Sequence, residues 1–183
     1  QVGIPWKQNE PNLENNYNMV KSRLLNLENS LKRKPYVASE YKRLIKDHQA
    51  KGYIKKILPP PETKPEKAWY LPHFALLRTD KTTRKVRVVM DGVARFEGKS
   101  LNDCINPGPK LQRDLLDVLI RFRRHPITIV ADITEMFLQI KLAPEDRKYH
   151  RFLWRDMDET SPIEVYEYQR LVFGNTSSPY LAQ

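Results

Sequence analysis

The sequence predicts an α+β fold. Two amphipathic helices come first, a hairpin of two strand-like runs follows, and the later strands and helices are mixed without regular alternation. The 183 residues suffice for one domain or two small subdomains, with enough chain to bury a real core. Hydrophobic residues make up 40% and charged residues 30% of the chain, which excludes a collagen-like protein and argues against wholesale disorder.

The first predicted elements are an extended arm over residues 1–11 and two helices. Pro35 is predicted to end the first helix, and the second runs from about Ala38 to Lys51 with Gly52 as its C-cap. The two helices either form a coiled arm that binds a partner or pack against the body of the protein, and their spacing favours packing. The apolar residues of the first helix recur every three or four positions: Leu13, Tyr17, Val20, Leu24, Leu27 and Leu31.

A predicted β-hairpin joins strands 69–78 and 85–90 through a polar loop, and a long loop covers residues 91–110. The later predicted elements follow in chain order: a helix over 111–122 that ends in the basic run 121–125, a buried strand over 127–132, a turn and strand over 133–142, strands 149–154 and 163–168 around an acidic loop, and a helix that begins at Pro179 with Ser178 as its N-cap.

The charge is unevenly distributed. The net charge is +10, yet residues 1–60 carry +7, residues 61–131 carry +6 and residues 132–183 carry −3. A basic surface favours an acidic polymer such as nucleic acid as the partner, although a merely solubilising surface explains the charge as well. A single cysteine, Cys104, excludes an internal disulfide and a cysteine-based zinc site. Without an apolar run near 18 residues, no membrane span is expected.

Three features carry chemistry. Asp132 ends the predicted buried strand, where a carboxylate is a suitable ligand for Mg²⁺; the alternative is a helix N-cap. Phe137 follows the next turn, and periodicity alone favours core packing for it. Gly174 permits close backbone approach before a stretch of small polar residues, although an ordinary strand-to-helix turn has the same composition.

These residues carry a resemblance to reverse transcriptases. Val130–Phe137 resembles the first catalytic motif, Leu171–Pro179 resembles the motif that follows it, and Lys85–Asp91 resembles the preceding fingers strand, all in the expected order. The further stretches that resemble the BEL/Pao group of LTR retrotransposons are Gly3–Lys7, Asn15–Tyr17, Tyr70–His73, Ser100–Asp103 with Gly108–Pro109, and Phe173–Ala182. The resemblance covers nearly the whole chain.

The resemblance implies a right-hand polymerase reduced to fingers and a partial palm. Its implied segments are a helical lead-in over 1–35, a fingers-like region over 36–126 and the partial palm over 127–183. The implied activity is RNA-directed DNA polymerisation, the addition of dNTPs to a DNA primer on an RNA or DNA template with two Mg²⁺ ions, or Mn²⁺ in their place. The implied setting is a cytoplasmic virus-like particle, later the nucleus, with protease, RNase H and integrase in the parent polyprotein.

The resemblance also implies residue roles. Asp132 would bind both metal ions with help from the Ile133 carbonyl, and Phe137 would be the steric gate that excludes a 2′-hydroxyl. Arg87 would contact the triphosphate, assisted by Lys81 or Lys85. The remaining implied contacts are Phe173 and Gly174 to the nucleotide and template base, and Arg121, Arg123, Arg124, Trp69 and Tyr70 to nucleic acid.

One departure from the family pattern limits the expected activity. The third motif contains an Asp-Asp pair, and no such dipeptide occurs here. We therefore expect a fragment that does not polymerise by itself. The alternatives are a non-catalytic, basic nucleic-acid-binding module and a structural interaction protein built around the N-terminal helices. His73 is expected to be packed or hydrogen-bonded rather than catalytic.

Overall fold

The computed structural model describes residues 1–9, 11–58, 67–79 and 84–183. Its architecture is α+β, as the sequence predicts. The helices are α1 (Tyr17–Lys32), α2 (Pro35–Ala50), α3 (Leu115–Phe122), α4 (Met136–Gln139) and α5 (Ser178–Leu181), with 3-10 turns at Asn102–Cys104 and Pro144–Tyr149. The strands are β1 (Ile54–Ile57), β2 (His73–Thr79), β3 (Arg84–Met90), β4 (Arg151–Trp154) and β5 (Glu164–Tyr168).

Helices α1 and α2 pack against the body of the protein, which confirms the prediction from the spacing of their apolar residues. Pro35 differs from the prediction: it opens α2 as well as following α1, because its fixed φ and missing N–H suit the first turn of a helix. Gly52 has φ +68° directly after α2, in keeping with its predicted capping role. The buried residues recur every three or four positions: Val20, Leu24, Glu28 and Leu31 on α1, then Val37, Tyr41, Ile45 and His48 on α2.

Two antiparallel sheets form the β part of the described chain. One has the strand order β1-β5-β4, and the other is the predicted hairpin of β2 and β3. Arg151 and Glu167 face each other across β4 and β5, with a side-chain ion pair at 3.1 Å. The hairpin loop, residues 80–83, lies outside the described residues. No helix among the described residues combines the length and apolar character needed to cross a bilayer.

The buried strand predicted over 127–132 is not present. Residues 127–133 form no strand, and the side chains of Ile127, Ile129 and Val130 are 82%, 87% and 82% exposed. The β-branched composition of this run favours a strand only where a neighbouring strand and a packing surface are available, and no described strand pairs with it. The strand predicted within 133–142 is absent as a strand: α4 occupies Met136–Gln139, and Lys141 and Leu142 form isolated β-bridges with Arg170 and Val2.

The predicted helix over 111–122 is shorter than expected and fully exposed. It begins at Leu115, after Asp114 accepts a hydrogen bond at 2.8 Å from the Leu116 amide. None of its residues is buried. Six of its eight residues are apolar, so it lacks the polar face that a helix lying on a protein surface normally presents to water.

The arm at residues 1–7 is extended, as predicted, and is fixed to distant parts of the chain. Asp146 accepts hydrogen bonds from the Ile4 amide and from the Trp6 indole, each at 2.7 Å. The Trp6 ring also meets Tyr149 edge-on, with centroids 5.0 Å apart. The arm therefore packs on the turn that precedes β4.

Candidate functional site

A cavity of about 610 Å³ lies between α2, β3 and the segment after residue 131. Four of the predicted site residues line it: Lys85, Arg87, Asp132 and Phe173. They come from three separate parts of the sequence and are brought together by the fold. Further lining residues that sequence reasoning did not assign to a site are Glu40, Arg43, Leu44, His48, Val86, Val88, Thr134, Glu135 and Leu138.

Strand alternation explains how β3 serves both the core and the cavity. Val86 and Met90 point to the buried side, whereas Lys85 and Arg87 are exposed. Successive side chains of a strand point to opposite faces, so the two cations lie on the same face two residues apart. Val86 and Val88 from the opposite face also line the cavity, so β3 contributes both positive charge and apolar surface to it.

The segment from Asp132 to Phe137 forms a turn with an unusual backbone. Asp132 is exposed, and the Ile133 side chain is 64% exposed. Glu135 has φ +54° and ψ +39°, a left-handed conformation that residues with a Cβ adopt infrequently. The turn directs the chain into α4, which carries Phe137.

The two predicted aromatic site residues are in contact. The ring centroids of Phe137 and Phe173 lie 4.7 Å apart with planes inclined at 56°. Phe137 packs at the margin of the hydrophobic core, and Phe173 is 42% exposed. Such a pair contributes about 0.5–1.5 kcal/mol beyond the area that it buries. Each ring therefore restricts the position of the other. Phe173 lines the cavity, whereas Phe137 is not among the lining residues.

Gly174 lies at a point of close backbone approach to the end of β3. It has φ +115°, and a Cβ built on it would lie 1.9 Å from the Met90 carbonyl oxygen. The Asn102 side chain joins both sides of this turn: its Nδ2 donates to the Gly174 carbonyl at 2.8 Å, and its Oδ1 accepts from the Thr176 amide at 3.0 Å. A residue larger than glycine does not fit here.

A buried histidine, His150, contacts the same loop at Asn175. His150 Nδ1 lies 2.9 Å from the Asp146 carbonyl oxygen, and its Nε2 lies 2.6 Å from Asn175 Nδ2. Nδ1 must donate to the carbonyl, so Nε2 accepts the amide proton and the ring is neutral. Burial lowers the His150 pKa to about 4, which keeps this tautomer at neutral pH. The contact fixes the loop that carries Phe173 and Gly174.

His73 is structural, as the sequence analysis expects. Its Nε2 donates to the Leu153 carbonyl at 2.8 Å, which leaves Nδ1 to accept a hydrogen bond from the Tyr41 hydroxyl at 2.5 Å. Burial lowers the His73 pKa to about 4 and raises that of Tyr41. Both side chains lie in the core between α2 and the strands.

The residues of the cavity do not form a complete two-metal site. Asp132 offers an exposed carboxylate, but the Glu135 carboxylate already accepts hydrogen bonds from Lys51 and Tyr53. Within the described parts of the chain, no group of three or more His, Cys, Asp or Glu side chains is placed to hold a metal ion. A pair of Mg²⁺ ions needs several oxygen ligands in common, so these donors do not fit it.

The predicted nucleic-acid contacts divide into two groups. Arg121, Arg123 and Arg124 are exposed at the end of α3 and just beyond it, where phosphates can reach them. Trp69 and Tyr70 are 1% and 4% exposed, which corrects their assignment: their rings belong to the core and offer no face to a base. They were misassigned because an aromatic pair in a polar-flanked run has the same composition in a core as on a binding surface. Lys81, the alternative phosphate contact, lies outside the described residues.

Four of the nine cavity residues that sequence reasoning missed come from α2. Glu40, Arg43 and His48 line it because α2 packs alongside β3. Arg43 donates to Glu40 from both Nε and Nη2, at 2.9–3.3 Å, and burial lowers the His48 pKa. Their spacing along α2 is ordinary helical periodicity, so only the packing of the helix shows that they share a cavity with Asp132.

Comparison with known proteins adds no family assignment. A scan against protein-family models finds no match, and a search of curated proteins finds no significant relative.

Proposed function

We propose that this chain is the fingers and partial palm of an RNA-directed DNA polymerase similar to those of BEL/Pao retrotransposons, and that its cavity binds an incoming dNTP. The observation that carries the proposal is that residues from all three sequence motifs meet there. Lys85 and Arg87 come from the fingers strand, Asp132 from the first motif, and Phe173 from the motif that follows. An RNA template and a DNA primer would be the macromolecular partners.

The chemistry of the cavity walls supports a nucleoside triphosphate as the ligand. Lys85 and Arg87 present cations on one face of β3, and charge-assisted hydrogen bonds from such groups suit phosphate oxygens. The Phe173 ring at the cavity wall provides an apolar surface for the sugar, and Phe137 packs against that ring with centroids 4.7 Å apart. The tight approach of Gly174 to Met90 constrains the backbone next to Phe173, whose ring packs against Phe137.

We propose nucleotide binding, rather than turnover, for this chain. Asp132 is the described carboxylate that the resemblance assigns to metal, and the residues around it do not complete a two-metal site. No chemical step is therefore assigned to the cavity. In a complete polymerase we expect Asp132→Ala to abolish primer extension while template binding is retained; extension by that variant would refute the assignment of Asp132.

Nucleotide titration of the full 183-residue chain tests the proposal directly. We expect saturable binding of dGTP, weaker binding of GTP, and a loss of about tenfold or more in dGTP affinity for Arg87→Gln, since a charged hydrogen bond contributes about 1.5–3 kcal/mol. Phe137→Ala should bring the GTP and dGTP affinities together. Arg33→Gln, at the exposed end of α1, is the matched control. Equal effects of the Arg33 and Arg87 changes would contradict the proposed phosphate contact.

The second candidate function is a non-catalytic nucleic-acid-binding module. It is favoured by the exposed arginines after α3 and by the incomplete metal site. Under this alternative, binding of single-stranded RNA or DNA is strongly salt-dependent and indifferent to Mg²⁺ and dNTP. Replacing Arg121, Arg123 and Arg124 together by Gln should lower the logarithmic salt slope by about 2–3 if each neutralises a phosphate. An unchanged slope would exclude these residues from the interface.

A further inference from the structure

Glu135 connects the cavity turn to a part of the chain more than 80 residues earlier. Its carboxylate accepts hydrogen bonds from Lys51 Nζ at 3.1 and 3.2 Å and from the Tyr53 hydroxyl at 3.1 Å. Lys51 follows α2 directly, and Tyr53 precedes β1. Glu135 is the left-handed residue of the turn, and its own side chain is thus held by residues that lie outside the turn.

The anchor on the α2–β1 side is itself rigid. Tyr53 is 7% exposed, with its ring in the core cluster. Lys51 is held by a second carboxylate, Asp47, at 2.8 Å. The Arg170 guanidinium lies over the Tyr53 ring at 5.8 Å from its centroid, a distance at which cation and ring attract. Tyr53 is the buried part of this anchor, and Lys51, 40% exposed, is held by two carboxylates rather than by one isolated surface ion pair.

Gln139 closes the network on the other side of the turn. Its Nε2 donates to the Tyr53 hydroxyl oxygen at 3.3 Å and to the Thr134 carbonyl at 3.1 Å. Tyr53 therefore donates to Glu135 and accepts from Gln139. These contacts hold Thr134 and Glu135, which lie between Asp132 and Phe137 in the chain. The resemblance assigns metal binding to Asp132 and the role of steric gate for the sugar to Phe137.

We propose that Lys51 and Tyr53 are positioning residues for this turn, and that through Glu135 they set where Asp132 stands at the cavity and where Phe137 meets Phe173. The consequence for nucleotide selectivity rests on the proposed function, whereas the control of the turn itself does not. Neither residue touches the predicted ligand site directly. Their contacts with Glu135 stabilise the left-handed backbone conformation of that residue, and with it one conformation of the turn.

Hydrogen–deuterium exchange of the unliganded full chain tests control of the turn. We expect Lys51→Met and Tyr53→Phe each to raise exchange over residues 132–140 about fivefold, the size expected for one lost hydrogen bond. Exchange in β4 and β5 should stay at the wild-type rate. Lys51→Arg should restore protection, because it keeps the charge and the donors.

A matched control and a coupled variant separate positioning from general destabilisation. Lys42→Met removes a lysine of α2 with nearly the same exposure as Lys51, 39% against 40%, that pairs with Asp156 instead; it should leave residues 132–140 unchanged. Glu135→Gln should raise exchange as Lys51→Met does, and the double variant should add little to either. An unchanged turn in Lys51→Met and Tyr53→Phe, or an equal rise across β4 and β5, would overturn the inference.

Nucleotide titration of the same variants distinguishes failure of the inference from failure of the proposed function. If the wild-type chain binds dGTP, the ratio of the GTP dissociation constant to the dGTP dissociation constant should fall at least about threefold in Tyr53→Phe, which is the effect expected from the loss of one hydrogen bond. An unchanged ratio would overturn the inference. If the wild-type chain binds neither nucleotide while the turn loosens in the variants, the proposed function fails and the positioning of the turn is supported.

Discussion

Replacement of Gly174 by alanine tests the close approach that shapes the cavity wall. The added Cβ would lie 1.9 Å from the Met90 carbonyl oxygen, and the residue has φ +115°. Restoring an ordinary contact of 3.4 Å requires the two backbones to separate by about 1.5 Å. Because both partners are backbone, no side-chain rotation can relieve the contact.

The expected cost has two parts. A residue with a Cβ in this region of φ and ψ costs about 1–3 kcal/mol. Separation of the chains also removes the Asn102 hydrogen bond to the Gly174 carbonyl and the bond from the Met90 amide to the Phe173 carbonyl, each contributing about 1 kcal/mol. We therefore expect Gly174→Ala to lower the free energy of unfolding by about 3–5 kcal/mol, or Tm by about 10 °C.

Gly98→Ala provides the control, because Gly98 also has a positive φ, +79°, but its Cβ would meet nothing within 4 Å. Gly98→Ala should lower the free energy of unfolding only by the cost of a left-handed backbone conformation, about 1–2 kcal/mol. Urea denaturation of both variants and the wild type measures the difference. Equal losses for Gly174→Ala and Gly98→Ala would show that the contact with Met90 imposes no constraint, and would refute the rigid cavity wall.

Three further predictions concern stability and association. Burial lowers the pKa values of His73 and His150 to about 4, against 6.5 ordinarily, so the unfolded chain binds more protons below pH 6.5. The free energy of unfolding should fall from pH 6.5 towards 4 with a slope approaching about 2.7 kcal/mol per pH unit; pH-dependent urea denaturation that shows no fall contradicts this. Glu28→Gln should lower the free energy of unfolding by about 3 kcal/mol, because it leaves the Arg155 guanidinium of a largely buried ion pair without its charge partner. A decrease in the free energy of unfolding of less than about 1 kcal/mol would contradict this prediction. The exposed apolar residues of α3 and 127–133 should cause association that rises with concentration, and Ile129→Lys should reduce it in sedimentation measurements; a chain that stays monomeric throughout the series refutes this prediction.

The local elements were largely predictable because their signals are local. The spacing on α1 and α2, the hairpin of β2 and β3, and the strands β4 and β5 follow from apolar periodicity and turn residues. Pro35 shows a limit of such signals, since a proline that ends one helix can equally open the next. For this reason α2 begins at Pro35, three residues before its predicted start at Ala38.

The misassigned elements depend on contacts that sequence does not encode locally. Residues 127–132 have strand composition but no described strand beside them, so the predicted strand is absent. Trp69 and Tyr70 were expected at a nucleic-acid surface and lie in the core. The Asp132–Phe137 turn was located by its motif, yet its left-handed residue and its contacts with Lys51 and Tyr53 come from tertiary packing more than 80 residues apart.

The arm at residues 1–7 has a consequence for how the chain acquires its fold. Ile4 and Trp6 bond to Asp146 across 140 and more positions of sequence, so the arm cannot dock until that distant turn exists. Because synthesis proceeds from the N-terminal side, the arm is made well before the turn that receives it and must wait for that turn to form. Contacts of such long sequence separation slow folding, and until they form, the arm and its receiving surface remain open to mispairing.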